Sequence, residues 1–311
     1  MRIAVYGAGS IGCYFGGRLA AGGADVHLIA RGDHLLALKE RGLQIRSSAG
    51  DLETGLPASS DPVDVGPCDV VLFCVKSTDT EYAAARLAPL LGPDTAVISL
   101  QNGVTNEERI AGSVAPEHVV GGVAYIMATI AEPGIIQHFG TVARIVFGEL
   151  DGRRSKRLEA LLETCRHAGL DAALSEQIHV QLWTKMAFIC ALAGLTAATR
   201  LCVGELRASP AAVEMFERIC FEVVAVAAAR GVELAADLPD RHRQTLMGMS
   251  EDWYSSLYYD LELGKPLELE SLHGAILRLA REHDLQVPMT AAIYALLEPW
   301  MIRNSIASKS R

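Results

Sequence analysis

The sequence predicts an α/β half built on a doubly wound parallel sheet, followed by an all-α half. Three observations carry that expectation. Short apolar runs alternate with helix-like segments from the first residues to about position 174. A glycine-rich turn joins the first apolar run to the first helix-like segment. Beyond Ser175 only helical periodicity remains. The boundary falls near residue 176, which gives expected domains of 1–176 and 177–311.

The first apolar run, residues 3–6, reads as a buried strand that breaks at Gly7 and enters a helix from about Ser10. Gly7, Ala8, Gly9, Ser10, Ile11 and Gly12 fit Gly-x-Gly-x-x-Gly. The first glycine allows a tight turn, the second lets a pyrophosphate approach the backbone, and the third lets helix and strand pack closely. The helix N-terminus offers unpaired N–H groups and a partial positive charge. These features predict a Rossmann-type dinucleotide site in the first domain. A glycine-rich turn of another parallel α/β fold is the plainer alternative.

The helix runs to about Ala21 and stops at Gly22 and Gly23. Residues 25–30 form the second strand, which ends in Ala30, Arg31 and Gly32 with no carboxylate at its tip. An acidic residue there binds the ribose hydroxyls of NAD, whereas arginine suits a 2′-phosphate. Arg31 therefore points to NADP(H) rather than NAD or FAD, unless it is only a solvated loop residue. Residues 33–41 look helical, and 43–66 hold short strands and loops. Residues 69–76 read as a buried strand ending in Lys76, 80–91 as a helix stopped by Gly92 and Pro93, and 95–100 as a strand leading to Gln101, Asn102 and Gly103. Lys76 and Asn102 thus stand at the carboxyl ends of strands, where open parallel sheets bind ligands. A surface lysine and a turn-forming asparagine are the simpler readings. Strands at 119–129 and 140–149, a helix at 157–168 and a strand at 171–174 complete the half.

In the second half, residues 178–198 read as one long helix. Ser209 caps the next, with Pro210 at its first position and Gly231 past its end. Further helices are expected at 252–263, 268–283 and 290–307. Lys185 lies early in the long helix, and Ile189 and Ala193 share its face. A lysine on so apolar a helix either snorkels to the surface or faces a cleft. Burial there would lower its pKa toward the working range of a general acid. Taken singly, Ser256 is a helix-surface hydroxyl, and Glu268 a carboxylate favoured in a first turn by the macrodipole.

Half of the 311 residues are hydrophobic, so the chain folds around substantial cores. The net charge of −9 and the lack of a basic tract argue against nucleic acid as a partner. An anionic ligand must then be held by local cations. The seven cysteines form no Cys-x-x-Cys pair or zinc pattern and read as reduced, mostly packing thiols, with no metal expected. The first strand begins at the N-terminus with no signal peptide, and no apolar run looks long enough to span a bilayer. A cytoplasmic protein with no membrane partner is expected. The apolar late helices suit either one domain's core or the seam of a homodimer.

Taken together, the chain resembles the ketopantoate reductase (2-dehydropantoate 2-reductase) family over nearly its whole length. The carrying motifs are the glycine loop, Ala30-Arg31, Val75-Lys76 and Gln101-Asn102-Gly103. In the second half they are Leu182-Trp183 with Lys185, Leu195-Thr196-Ala197, Gly204-Glu205-Leu206, and Ser255-Ser256-Leu257 through Asp260 to Leu267-Glu268-Leu269-Glu270. The resemblance implies a helical second domain of the 6-phosphogluconate dehydrogenase type. It also implies NADPH-dependent reduction of a small-molecule 2-keto acid to the 2-hydroxy acid, in pantothenate biosynthesis. By resemblance Lys185 is the general acid and Glu268 orients it and binds a substrate hydroxyl. Ser256 holds the substrate carboxylate, and Asn102 and Lys76 line the cleft beside the nicotinamide. Ile189, Ala193, Val203 and Trp253 stand where the family often has asparagine. Apolar replacements imply a more apolar or bulkier ligand than ketopantoate. Two alternatives remain open: an NADP-dependent dehydrogenase working in the oxidative direction on another hydroxy acid, and a non-catalytic NADP(H)-binding protein.

Overall fold

The computed structural model describes residues 1–309, with side chains described through residue 307. The chain separates into two compact units. One comprises Met1–Gln101 and Asn106–Ile178. The other takes Asn102–Thr105 together with the chain from His179 onward.

The first unit contains β1 (Arg2–Tyr6), α1 (Ser10–Ala21), β2 (Asp25–Ile29), α2 (Gly32–Arg41), β3 (Leu43–Arg46), β4 (Leu52–Thr54) and β5 (Ala58–Ser59). It continues through β6 (Cys68–Phe73), α3 (Thr80–Ala84), β7 (Leu91–Ser99), α4 (Asn106–Ala111), β8 (Val119–Glu132), β9 (Ile135–Glu149), α5 (Lys156–His167) and β10 (Asp171–Leu174). One sheet runs β4-β3-β9-β8-β7-β6-β1-β2-β5, with β10 beside β9. The ladders from β2 through β1, β6 and β7 to β8 are parallel. Successive side chains of a strand point to opposite faces. Ile3, Val5, Val70 and Leu72 therefore enter one core, while Ala4, Tyr6, Val71 and Phe73 enter another. Burial on both faces is why these strands read as unbroken apolar runs.

The sheet is not wholly parallel. β8 and β9 form a long antiparallel hairpin turned at Pro133 and Gly134, the latter at φ +85°. The strands reach further toward that turn than the expected 119–129 and 140–149. Arg157 of α5 closes on the far end of β9. Its Nε and Nη2 donate to the two carboxylate oxygens of Glu149 at 2.8 and 2.7 Å, and Nη2 also reaches the Glu117 carbonyl at 2.7 Å. Burial by itself would raise the Glu149 carboxyl, but the Arg157 hydrogen bonds hold it below its ordinary value.

The second unit packs α6 (Ile178–Thr199), α7 (Val203–Arg207), α8 (Pro210–Ala229), α9 (Leu238–Gly248), α10 (Ser256–Glu262), α11 (Ala275–Glu282) and α12 (Pro288–Lys309). Met186, Ala187, Cys190 and Ala191 of α6 join Phe216, Ile219 and Val223 of α8 in one core. By length and composition α6 could cross a membrane, which corrects the expectation that no apolar run is long enough. Yet 67% of its apolar window is buried inside the protein, as suits the central helix of a core. The seven cysteines are free, and burial pushes the Cys13 and Cys165 thiols up to about 12.

Several expected boundaries move. The strand expected to end at Lys76 stops at Phe73, because Cys74 to Lys76 leave the sheet for a turn. The helix expected over 80–91 shrinks to α3 and a 3-10 turn, Ala88–Leu90. Pro89 has no N–H to donate, and in a continued α-helix its ring would clash with the Ala85 carbonyl. Gly92 and Pro93 accordingly lie inside β7, where the Gly92 N–H donates to Thr95 Oγ1 at 2.7 Å. The helix expected from 252 starts at Ser256, since the Glu251 and Trp253 carbonyls accept the Gly204 and Val203 N–H groups instead. The helix expected from 268 opens with a π-helical turn, Glu270–Gly274, and Glu268 precedes it. Helices α4, α7 and α9 are additions to the sequence reading.

Removing Arg157 leaves the Glu149 carboxylate buried without its cation. Arg157→Met should lower unfolding free energy by about 3–5 kcal/mol in urea titration near pH 7. The Glu149 contribution is present above the ordinary carboxylate pKa and is lost as pH falls through its lowered value, so the difference between variant and parent should narrow in acid.

Candidate functional site

The glycine loop follows directly from β1. Gly7 adopts φ +92°, and a Cβ there would lie 2.5 Å from the Val75 backbone nitrogen. A Cβ on Gly12 would lie 2.6 Å from Val5 Cγ1 and 2.7 Å from the Gly7 carbonyl oxygen. Both glycines are therefore demanded by the fold itself. Gly9 is not. Its backbone is extended, and a Cβ would find nothing nearer than the Gly7 oxygen at 4.0 Å. Gly9 caps α1 with no side chain, so no side-chain oxygen covers the N–H groups of the first turn. An open space beside uncapped helix N–H groups fits the pyrophosphate of a dinucleotide.

The ends of the neighbouring strands frame this loop. Gly7 and Ala8 both donate to the Ile29 carbonyl at the end of β2, at 3.1 and 2.9 Å. Buried Gln101, past the end of β7, donates from Nε2 to the Val75 carbonyl at 2.9 Å and to Thr80 Oγ1 at 2.8 Å. It thereby fixes the turn that carries exposed Lys76. Arg31, at the N-terminus of α2, is exposed, and its guanidinium donates to the Asp79 carboxylate in the turn after β6. Asn102 is half-buried and groups with the helical unit, whereas Lys76 groups with the sheet.

Within the helical unit the structure brings Lys185 and Glu268 together. Burial pulls the Lys185 ammonium down from its ordinary 10.5 to about 8, and the Glu268 carboxylate works against that fall by favouring the charged form. A lysine at that value exchanges protons readily near neutral pH. The helix under it is pinned at two places. His242 Nε2 sits 2.9 Å from the Thr184 carbonyl oxygen, and its ring packs edge-on to Phe188 at 5.3 Å. Further along, buried Thr196 Oγ1 donates to Ser255 Oγ at 2.7 Å. Ser255 in turn accepts the Tyr258 N–H at 3.2 Å, so it caps α10 and leaves Ser256 exposed at the helix's first position.

Of the apolar replacements, Val203 is fully buried and Ala193 nearly so, while Ile189 and Trp253 are half-buried against the same core. Beside Ser256, the Tyr254 and Tyr258 rings stack at 4.1 Å with Tyr259 edge-on to Tyr258 at 5.4 Å. Sequence reasoning missed Asp79, His242 and the Thr196–Ser255 pair. These contacts join residues too distant in sequence for any local pattern to mark.

Residues 3–152 match the family described as "Ketopantoate reductase PanE/ApbA", and residues 177–300 match its C-terminal description. The chain is similar to the crystal structure of a PanE/ApbA family ketopantoate reductase from Ralstonia eutropha JMP134, with 34% identity, 98% of this chain and 100% of that chain covered, and TM-score 0.90. It is 33% identical to the 2-dehydropantoate 2-reductase of Archaeoglobus fulgidus over 95% of this chain and 96% of that protein. It is also similar to D-mandelate dehydrogenase in a ternary structure with NADH and anilino(oxo)acetate, at 25% identity, 98% and 99% coverage and TM-score 0.89.

The glycine geometry separates folding from ligand binding. Gly9→Ala should melt within about 2 °C of the parent, since its methyl meets no chain atom, yet should weaken dinucleotide binding at least about tenfold in a fluorescence titration. Gly7→Ala, strained at positive φ and in collision with Val75, should lose folding stability itself.

Proposed function

The chain belongs to the ketopantoate reductase family, and we propose that it reduces ketopantoate, or a related and more apolar 2-keto acid, with NADPH. As a member of that family it is an oxidoreductase acting on a CH–OH group with a nicotinamide cofactor. The observation that carries the finer reading is the desolvated Lys185 ammonium beside the Glu268 carboxylate.

A bound nicotinamide supplies the two electrons and the hydrogen that reach the keto carbon. Lys185 Nζ donates a proton to the keto oxygen as negative charge grows there, and its own positive charge offsets that growth. Solvent restores the lysine proton after turnover. Glu268 keeps the ammonium charged and oriented and accepts a substrate hydroxyl. Ser256 donates to the substrate carboxylate. Arg31 pairs with the cofactor's 2′-phosphate, and Lys76 and Asn102 add polar contacts to cofactor and substrate. The fit of Gly9 and the uncapped first turn of α1 supports the cofactor assignment.

The apolar environment supports the wider substrate range. Ile189, Ala193 and Trp253 offer no hydrogen bond to a small polar substituent, apart from the Trp253 ring N–H. The stacked tyrosines beside Ser256 suit a flat apolar group, and a D-mandelate dehydrogenase shares the fold. A panel of 2-keto acids with aliphatic and aromatic side groups, monitored by NADPH consumption, tests this reading. Turnover with a member bulkier than ketopantoate is expected. No consumption with any member would leave a nucleotide-binding protein, and faster NADP reduction by a hydroxy acid would reverse the direction.

The acid role gives a sharper test. Lys185→Ala should lower kcat by about 10²–10⁴-fold while NADPH still binds. The parent's reduction rate should fall as pH rises through about 8, because the acid must be protonated. Glu268→Gln removes the charge that holds that value up, so its falling limb should move to lower pH. A limb that stays in place would remove Glu268 from the role.

A further inference from the structure

Asp79 stands at the N-cap position of α3, where an aspartate ordinarily accepts an N–H of the first turn, yet its side chain makes no capping hydrogen bond. It turns instead to the Arg31 guanidinium. The backbone around it is set by the 3-10 turn Ser77–Asp79, in which the Asp79 N–H donates to the Lys76 carbonyl at 2.8 Å. Strand β1 lies between β2 and β6, and Arg31 and Asp79 follow the carboxyl ends of those two flanking strands. The ion pair therefore spans the end of the strand that feeds the glycine loop. One terminal nitrogen of the Arg31 guanidinium, Nη2, is thus engaged by the protein's own carboxylate.

We propose that Asp79 is a cofactor-specificity residue that narrows the preference for NADPH over NADH. This rests on the reading of Arg31 as the partner of a 2′-phosphate. A 2′-phosphate must share the Arg31 guanidinium with the carboxylate or displace it, and in either case bears its like charge nearby. A cofactor with a 2′-hydroxyl meets no such repulsion and can donate to the carboxylate, as acidic residues near this position do in NAD-binding folds. One cation and one anion side by side thus serve both cofactors, and neither is excluded.

The test is equilibrium binding rather than turnover. NADPH and NADH are titrated by fluorescence against the parent, Asp79→Asn, Asp79→Ser and Arg31→Ala, with a thermal melt of each. Asp79→Asn and Asp79→Ser remove the charge but keep a side chain able to cap α3. Each should tighten NADPH and weaken NADH, raising the ratio of affinities about tenfold, or about 1.4 kcal/mol. The rise should shrink at high salt, since the pair is exposed. If neither variant changes the ratio while Arg31→Ala abolishes NADPH preference, Asp79 is a spectator and the inference fails, with the Arg31 reading intact. If Arg31→Ala also leaves the ratio unchanged, the 2′-phosphate reading fails and takes the inference with it.

Discussion

One ammonium, Lys185, must stay charged on an apolar helix. Moving a lysine out of water disfavours its charged form, and α6 supplies largely apolar surroundings. An uncompensated ammonium would give up its proton and become useless as an acid. Burial pulls Lys185 down from the ordinary 10.5, and Glu268 opposes that fall, so the ammonium is poised near 8. The balance needs positional accuracy, because Coulombic support falls with distance and rises in low dielectric. The contacts to α6 provide it: His242 on the Thr184 carbonyl just before the lysine, and Thr196 on Ser255 at the helix's other end. The second contact also sets the start of α10, and with it Ser256.

The sheet unit solves a different problem, which is to present backbone N–H groups without a side chain in the way. Its parallel strands are buried on both faces, and their carboxyl ends gather the polar loops. Gly7 and Gly12 make room for the protein's own backbone and Val5, whereas a Cβ on Gly9 would meet nothing nearer than the Gly7 oxygen at 4.0 Å. Gln101 ties the loop after β7 to the one after β6. The turn bearing Lys76 and Asp79 is therefore a braced part of the sheet's rim.

The sequence declares what depends on local chemistry and conceals what depends on distant partners. β1, the glycine loop and α1 were legible because an apolar run, a glycine spacing and a helix start occupy a dozen consecutive residues. The parallel core was legible because burial on both faces writes unbroken apolar strings. Pro89 was present in the sequence, yet the helical periodicity around it masked its effect. The true start of α10 depended on Glu251 and Trp253 spending their carbonyls on Val203 and Gly204. In the site, Lys185 stood out only as an anomaly on an apolar helix, with the snorkelling alternative open. Its partner Glu268 came from family resemblance, not from spacing. Arg31 was visible from the missing carboxylate at its strand end, while the carboxylate supplied from 48 residues away was not.

The most direct measurement is a titration of the Lys185 side chain by NMR, with carbon-13-labelled lysine assigned through a Lys185→Arg control. A midpoint near 8 that moves downward in a Glu268→Gln background is the result expected from burial opposed by a carboxylate. A midpoint at the ordinary 10.5, unmoved by loss of Glu268, would mean a solvated and unpaired ammonium and would contradict the account of Lys185 as the acid.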